Sequence, residues 1–235
     1  MHVSSSVWEM EKMDYQTFIT FVMEMIGTVA FAASGAMVGV ERKMDIFGVG
    51  VLGVVTAVGG GMIRDVTLGI IPPSVFKHSV YATVAVITSC LVFALFYCRR
   101  ELLGGKFRAT FDKIMLVMDS IGLGIFTVVG VNTGIRQGYA DNTFLLVFVG
   151  TITGVGGGLL RDVMAGVPPY IFVRHIYACA SIAGALVCVC MHRIFGAVEA
   201  MVVACIAVLL IRYLAAHYRW NLPRLEMEDH TKQIK

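Results

Sequence analysis

The stretches VGGGMIRD (residues 58–65) and VGGGLLRD (residues 155–162) divide this chain of 235 residues into two related halves. Each places three consecutive glycines and an Arg-Asp pair inside a mostly apolar segment, and the second begins 97 residues after the first. Each glycine in a helix costs about 0.8–1 kcal/mol relative to alanine, so a triplet can unwind or kink its helix. The two stretches therefore predict a matching weak point in one helix of each half.

The composition indicates that the chain lies in a lipid bilayer. Hydrophobic residues make up 57% of the sequence and charged residues 15%, and the mean hydropathy is +0.79, which excludes a soluble domain. A helix needs about 20 apolar residues to cross roughly 30 Å of hydrocarbon. We predict an all-α integral membrane protein with seven transmembrane helices. The predicted spans are residues 18–40, 46–63, 78–97, 114–134, 143–160, 173–191 and 195–216.

The repeat extends well beyond the two glycine motifs. VMEMIGTVAFAASGAMVG (residues 22–39) aligns with VMDSIGLGIFTVVGVNTG (residues 117–134), and PPSVF (residues 72–76) aligns with PPYIF (residues 168–172). Each copy contains three predicted spans, so the two copies cross the membrane in opposite directions. Inverted repeats of this kind are typical of transport proteins. The seventh helix has no partner in the repeat.

The placement of Lys and Arg predicts the orientation of the chain. With seven spans, five of the 19 Lys and Arg lie on the side of the N-terminus and 14 on the side of the C-terminus. Because positively charged loops stay in the cytoplasm, we predict a cell (inner) membrane protein with its N-terminus outside and its C-terminus cytoplasmic. The predicted segments are an extracytoplasmic N-terminal segment (1–17), the first three-helix repeat (18–100), a cytoplasmic basic loop (101–113), the second, inverted three-helix repeat (114–192), the seventh helix (193–216) and a cytoplasmic tail (217–235).

The glycine motifs have two interpretations. A bend would let the second and fifth spans line an aqueous path, where backbone carbonyl oxygens replace part of a cation's hydration shell. Alternatively, the small residues let two helices pack closely. We favour the path, because the motif occurs in both inverted halves. The pore or gate candidates are Gly59, Gly60, Gly61, Gly156, Gly157 and Gly158, together with Thr56 and Thr153, whose hydroxyls either bind an ion or bond the preceding helical turn.

Charged residues within the spans are further candidates. Glu24 and Asp119 occupy equivalent positions in the first and fourth spans, as cation attractors or as partners of an arginine. Adjacent residues on a helix do not face one another, so we expect each arginine of the Arg-Asp pairs to find its acid on another element. Alternatively, the pairs only end the spans at the membrane interface. The pairs are Arg64 with Asp65 and Arg161 with Asp162.

Four basic or titratable residues begin the third and sixth spans: Lys77, His78, Arg174 and His175. They are candidates for binding lipid phosphate or for gating, and simple anchoring at the interface is the alternative. The six cysteines lie in or beside apolar spans and form no cluster with histidine, so we expect no structural metal and no cofactor. No HExxH, GxSxG or phosphate-binding loop occurs, so an enzyme is not expected. Acidic residues dilute the basic C-terminal tail, namely Glu226, Glu228 and Asp229, so no nucleic-acid partner is expected.

The inverted three-span repeat, the twin GGGxxRD motifs and the unpaired seventh span resemble the trimeric intracellular cation channel family, in its prokaryotic branch with glycine-transporter domains. The resemblance covers about residues 20–216. It implies a homotrimer whose subunits each carry a potassium-permeable pore, constricted where the second and fifth spans bend at their glycines. Animal members bind phosphoinositide through a lysine-centred motif, but this chain has Leu160-Arg161-Asp162 there, so we expect contact with ordinary membrane phospholipids only.

The leading hypothesis is therefore a passive channel for monovalent cations, with K⁺ only weakly favoured over Na⁺. The alternative is a secondary transporter of glycine or another small amino acid, because broken helices also serve transporters, and half-helix N-termini can hold a carboxylate. On the channel hypothesis, we expect leucine at Gly157 to abolish flux while leaving folding largely intact.

Overall fold

The computed structural model describes residues 3–99, 108–173, 176–218 and 220. Seven of its helices are long and apolar enough to cross a membrane, which confirms the predicted all-α class. The seven are α1, α2, α4, α5, α6, α8 and α9. The helices are α1 (Val3–Glu41), α2 (Ile46–Thr67), α3 (Ser74–Lys77), α4 (Val80–Cys98), α5 (Arg108–Gly134), α6 (Thr143–Met164), α7 (Tyr170–Val173), α8 (Tyr177–Phe195) and α9 (Ala197–His217), with one π-helical turn at Ile135–Tyr139 after α5.

Two of the helices begin earlier than the hydropathy pattern predicted. The first starts at Val3, so most of the segment predicted to precede the first span is helical and continuous with it. The fourth spanning helix starts at Arg108 rather than near residue 114. Hydropathy marks only the part of a helix that is apolar, so polar turns that extend a helix beyond that part go unnoticed.

The loops after α2 and α6 are built in the same way, as the repeat predicted. A glycine with positive φ lies just beyond the end of each helix, Gly69 (+72°) and Gly166 (+64°), a conformation that other residues rarely adopt. The amide of each glycine donates to a carbonyl three residues back, at 3.1 Å in both loops. A double proline follows, and then one of the single-turn helices α3 and α7. The chain thus turns back at equivalent points of the two halves.

The helices pack as two three-helix units, α1, α2 and α4 in one and α5, α6 and α8 in the other. The units meet where α2 packs against α6 and α1 packs against α5. The unpaired helix α9 packs against α5 and α8, so it lies on the second unit. This arrangement surrounds α5 with neighbours, and most of its residues from Asp119 to Gly134 are buried.

The glycine motifs form the crossing of α2 and α6. Both helices run without interruption through their triplets, so neither is unwound there in this structure. A Cβ atom on Gly60 would collide with the carbonyl oxygen of Thr153, and one on Gly157 would collide with that of Thr56. A Cβ atom on Gly156 would lie 3.2 Å from the Cα of Gly60. The glycines therefore serve close packing, because only hydrogen side chains let two backbones approach this far.

Two repeat-related phenylalanines pack beside this crossing. Phe31 of α1 and Phe126 of α5 have their ring centroids 5.3 Å apart. Phe31 lies against Gly122 and Gly157, where any Cβ atom would meet its ring. Phe126 lies in the same way against Gly27. Aromatic rings and glycines thus interlock at the centre of the bundle, between the two halves.

Candidate functional site

Two polar clusters lie at opposite ends of the bundle, because the repeat that produces them is inverted. The first cluster consists of four side chains from α1, α2 and α4: Glu24, Arg64, Asp65 and Tyr81. The second cluster consists of five side chains from α5, α6, α8 and α9: Asp119, Arg161, Asp162, Tyr177 and Arg212. The α2–α6 glycine crossing lies between them.

Each arginine of the two motifs pairs with the aspartate that follows it. The Nε of Arg64 donates to Oδ1 of Asp65 at 2.9 Å, and the Nε of Arg161 donates to Oδ1 of Asp162 at 2.8 Å. The expectation that the arginines would find their acids only on other elements is therefore wrong for Arg64. The pairs form at the last turn of each helix, where a long guanidinium side chain can fold back to a neighbour.

The same aspartates also fasten the loops that follow. The second carboxylate oxygen of Asp65 accepts a hydrogen bond from the amide of Ser74 at 2.6 Å. The second oxygen of Asp162 accepts one from the amide of Tyr170 at 2.8 Å. A buried carboxylate that is paired on both oxygens avoids the cost of an unsatisfied charge. The Arg-Asp motif therefore fixes the double-proline loop to the end of its helix.

In the second cluster the arginine holds a second carboxylate. The Nη1 of Arg161 contacts Oδ1 of Asp119 at 2.6 Å and also donates to the hydroxyl of Ser34 at 2.6 Å. For Arg161 the expected acid on another element is Asp119 of α5, and the contact with Ser34 of α1 joins the two halves through a hydroxyl. The side chains of Arg161 and Asp119 are fully buried. Of the two predicted roles of Asp119, this geometry supports that of arginine partner.

The second cluster also contains Arg212, which the sequence reasoning did not single out. This arginine of α9 places Nη2 at 4.0 Å from Oδ2 of Asp119 and donates from Nε to the hydroxyl of Ser120 at 3.2 Å. Its guanidinium carbon lies 5.0 Å from the ring centroid of Tyr177, in cation–π range. The signal was present, because a charged residue inside an apolar span is expensive and marks a functional or structural contact.

The first cluster lines an open cavity of about 660 Å³ that enters the bundle between α1, α2, α4 and α5. Glu24 accepts a hydrogen bond from the hydroxyl of Tyr81. The residue equivalent to Glu24 in the second half is Asp119 of the second cluster. The inner wall of the cavity includes Phe126 and Gly61, next to the glycine crossing. Polar and charged lining residues include Glu24, Arg64, Asp65, Ser74, Lys77, His78, Tyr81, Asn132, Arg136 and Gln137.

The charges that line this cavity nearly cancel. Three lining side chains are positive, Arg64, Lys77 and Arg136, and two are negative, Glu24 and Asp65, which gives a formal charge of +1 with neutral histidine. The predicted cation attraction by Glu24 is therefore offset by its surroundings. Electrostatics at a pore mouth depend on the sum of the nearby charges, so one acid alone does not decide it.

The remaining candidates fall into three groups. The hydroxyls of Thr56 and Thr153 donate to the carbonyls of Leu52 and Val149 four residues back, which supports the helix-bonding alternative. Lys77 and His78 line the cavity and are exposed. Arg174 and His175 lie outside the described residues.

Phenylalanine at Tyr81 is expected to lower the stability of the protein, whereas phenylalanine at Tyr177 is not. Tyr81 donates to a carboxylate, so its replacement removes a charge-assisted bond and lowers stability by about 1 kcal/mol at this half-buried site. The hydroxyl of Tyr177 is buried and has no hydrogen-bond partner within the described residues, so its removal is neutral or stabilising. Thermal unfolding of the two matched variants in detergent measures this, and an equal loss for both contradicts it.

The fold and the cavity define a class: a multi-pass membrane transport protein built from two inverted three-helix units. The sequence model described as Glycine transporter matches the chain twice, at residues 21–97 and 116–193, one match for each unit. The chain belongs to this family.

Known proteins agree with this assignment. The UPF0126 inner membrane protein YadS of Escherichia coli is 36% identical over 217 residues, which cover 91% of this chain and 100% of that protein. A solved structure that describes the basis for conductance through TRIC cation channels superposes on this chain with a TM-score of 0.76 at 36% identity. The match covers 88% of this chain and 97% of that one. The trimeric intracellular cation (TRIC) channel orthologue from Rhodobacter sphaeroides has a TM-score of 0.75 at 29% identity, covering 86% and 99%. The predicted resemblance to this channel family is confirmed.

Proposed function

We propose that this chain forms a channel for monovalent cations, permeable to K⁺ and only weakly selective against Na⁺, with a pathway inside each subunit of a homotrimer. The carrying observation is the cavity of about 660 Å³ between the membrane spans of one subunit, with five charged side chains in its lining. It supports a channel because charged side chains among membrane spans are costly unless they serve passage or binding. The likeness to structures of TRIC cation channels supports the ion class and the trimer. Neither motif nor cavity suggests enzymatic chemistry.

The proposed gate is the crossing of α2 and α6. Ions that enter the cavity would meet Phe126 and the backbones in contact at Gly60 and Gly157. Passage requires the two helices to bend or slide at this level, and glycine lowers the cost of such bending in both. The continuous helices of this structure correspond to the closed conformation in this proposal, and the bend predicted from the sequence to the open one.

The proposed orientation places the cavity mouth outside the cell. The first cluster lies at the end of the bundle where α2 ends and α4 begins. The excess of Lys and Arg on the opposite side supports a cytoplasmic C-terminus in the inner membrane. The second cluster would then face the cytoplasm.

Purified protein in planar bilayers is expected to show unitary K⁺ currents whose reversal potential in a KCl gradient follows the cation. Tryptophan at Met62, which lines the cavity, is expected to lower the unitary conductance by roughly half or more, because it narrows the path. Tryptophan at Val66, an exposed residue one turn further along α2, is the matched control and leaves conductance unchanged. Equal conductance in both variants contradicts a path through this cavity.

The rival function is secondary transport of glycine or another small amino acid. The family description favours it. The close contact of the α2 and α6 backbones beside the cavity also agrees with it, because alternating access requires a site closed at one end. Proteoliposomes separate the two functions. Saturable glycine uptake driven by an ion gradient, without unitary currents, would establish the transporter and refute the channel.

A further inference from the structure

The second half of the internal repeat shows that the arginine of an Arg-Asp motif in this chain can bind two carboxylates. In the second cluster, the guanidinium of Arg161 contacts two carboxylates, Asp162 at 2.8 Å and Asp119 at 2.6 Å. The second carboxylate comes from another helix and approaches through Nη1. The arrangement is fully buried, so the charge of the arginine is balanced within the protein.

The first cluster lacks the equivalent of that second carboxylate. The ion pairs of the described residues give Arg64 one acid, Asp65, at 2.7 Å. Glu24 occupies the repeat position of Asp119, but its carboxylate takes the hydroxyl of Tyr81. The position that a carboxylate fills on Arg161 therefore has no protein carboxylate on Arg64.

Arg64 is only 6% exposed, but it lies on the wall of the cavity. Arg64 is one of the residues that line the 660 Å³ cavity, and Arg136 and Lys77 add positive charge to the same walls. With Glu24 and Asp65 included, the lining carries one uncompensated positive charge. Sites for small ligands are commonly clefts of about 300–1,000 Å³ with a few convergent polar groups, and this cavity falls within that range.

We propose that the first cluster binds a small carboxylate, with the ligand on the guanidinium of Arg64 where Asp119 lies on Arg161. Guanidinium and carboxylate form paired, charge-assisted hydrogen bonds, which gives the site its chemical preference. A monoanion also neutralises the cavity lining. If the ligand carries an ammonium group as well, Glu24 on the same cavity is the side chain available to it.

Equilibrium binding to the purified full-length protein in detergent tests this proposal. Potassium acetate, glycine and methylammonium chloride are titrated at an ionic strength held constant with KCl, and the thermal unfolding midpoint and the heat of binding are measured. A saturable response to acetate and glycine is expected. Arg64→Gln is expected to weaken acetate binding by about tenfold or more, and Arg64→Lys by less, because lysine keeps the charge but not the paired geometry.

Matched variants separate a site from a general charge effect. Arg136→Gln removes a charge from the same cavity and is expected to weaken acetate binding about two- to threefold, because its charge acts over a longer distance. Arg193→Gln removes an exposed charge at the end of α8, on the same side of the bundle but not among the residues that line the cavity, and is expected to change nothing. If Arg64→Gln does not fold, Arg64→Lys and Arg136→Gln still decide the result.

The outcomes are distinct. Binding of glycine but not acetate supports the carboxylate site with Glu24 as the ammonium partner, provided that Glu24→Gln abolishes it. Binding of methylammonium alone, the absence of saturable carboxylate binding, or equal affinity in the Arg64 and Arg193 variants overturns the proposal. Binding in detergent requires no ion flux, so failure here leaves the channel intact, and absent currents leave this site intact.

Discussion

Alanine at Gly60 is expected to destabilise the protein by about 3 kcal/mol or more, whereas alanine at the adjacent Gly61 is tolerated. The Cβ of Gly60 would collide with the carbonyl oxygen of Thr153, a backbone atom that cannot rotate away. The nearest atom to a Cβ on Gly61 is 3.8 Å away, and it is the end of the Arg64 side chain. The two neighbouring glycines of one motif therefore differ sharply in what they tolerate.

Thermal unfolding and size-exclusion profiles of the purified variants check this difference. Alanine at Gly50 of α2 is the matched control, because no atom lies within 4 Å of the added methyl group and helix propensity improves by about 0.8–1 kcal/mol. Gly157 shares the backbone contact with Thr56, so leucine there is expected to disrupt folding, contrary to the expectation from sequence. Equal stability of the Gly60 and Gly61 variants would refute the backbone crossing.

Methionine at Arg161 is expected to cost about 3–5 kcal/mol, because it removes the counter-charge of the buried Asp162 and the nearer of the two arginines beside Asp119, leaving that carboxylate with Arg212 at 4.0 Å. Methionine at Arg64 is expected to cost clearly less. This repeat partner contacts one carboxylate rather than two, so the substitution removes one ion pair instead of two. The pair compares the same substitution in the same motif at the two ends of the molecule.

The unfolding free energies of the two methionine variants test this ranking, and a second step isolates the buried charge. Asparagine at Asp119 in the Arg161→Met background removes a carboxylate that has lost its nearer counter-charge, so it is expected to recover part of the lost stability. The same asparagine in the wild-type background is expected to destabilise, because it breaks the contact with Arg161. If the second substitution destabilises both backgrounds equally, the two residues are not energetically coupled.

The number, class and order of the spanning helices could be predicted because apolar periodicity and internal repetition are properties of the sequence itself. The aspartates of the two Arg-Asp motifs and the double prolines also occupy equivalent positions in the two halves, as the repeat predicted. The state of the glycine triplets could not be settled in this way, because bending and close packing require the same small residues. The choice depends on whether another backbone lies opposite, which is a property of the assembled bundle.

The partners of the charged residues were harder to predict, because they depend on side-chain reach in three dimensions. The contact between Arg64 and its own neighbour requires the guanidinium to fold back, which helix geometry alone does not indicate. Arg212 was missed because α9 lies outside the repeat, so internal alignment offered it no counterpart. An internal repeat helps to predict contacts only for residues that have an equivalent in the other half.

The position of Arg212 also makes the two ends of the bundle chemically unequal. An inverted repeat alone would build matching polar clusters at both ends. Here a helix outside the repeat places a guanidinium beside Asp119, where its Nε donates to the hydroxyl of Ser120. The cluster around Glu24 borders the cavity instead. The seventh helix thus gives the molecule a built-in polarity, with charge pairing inside the protein at one end and a cavity at the other.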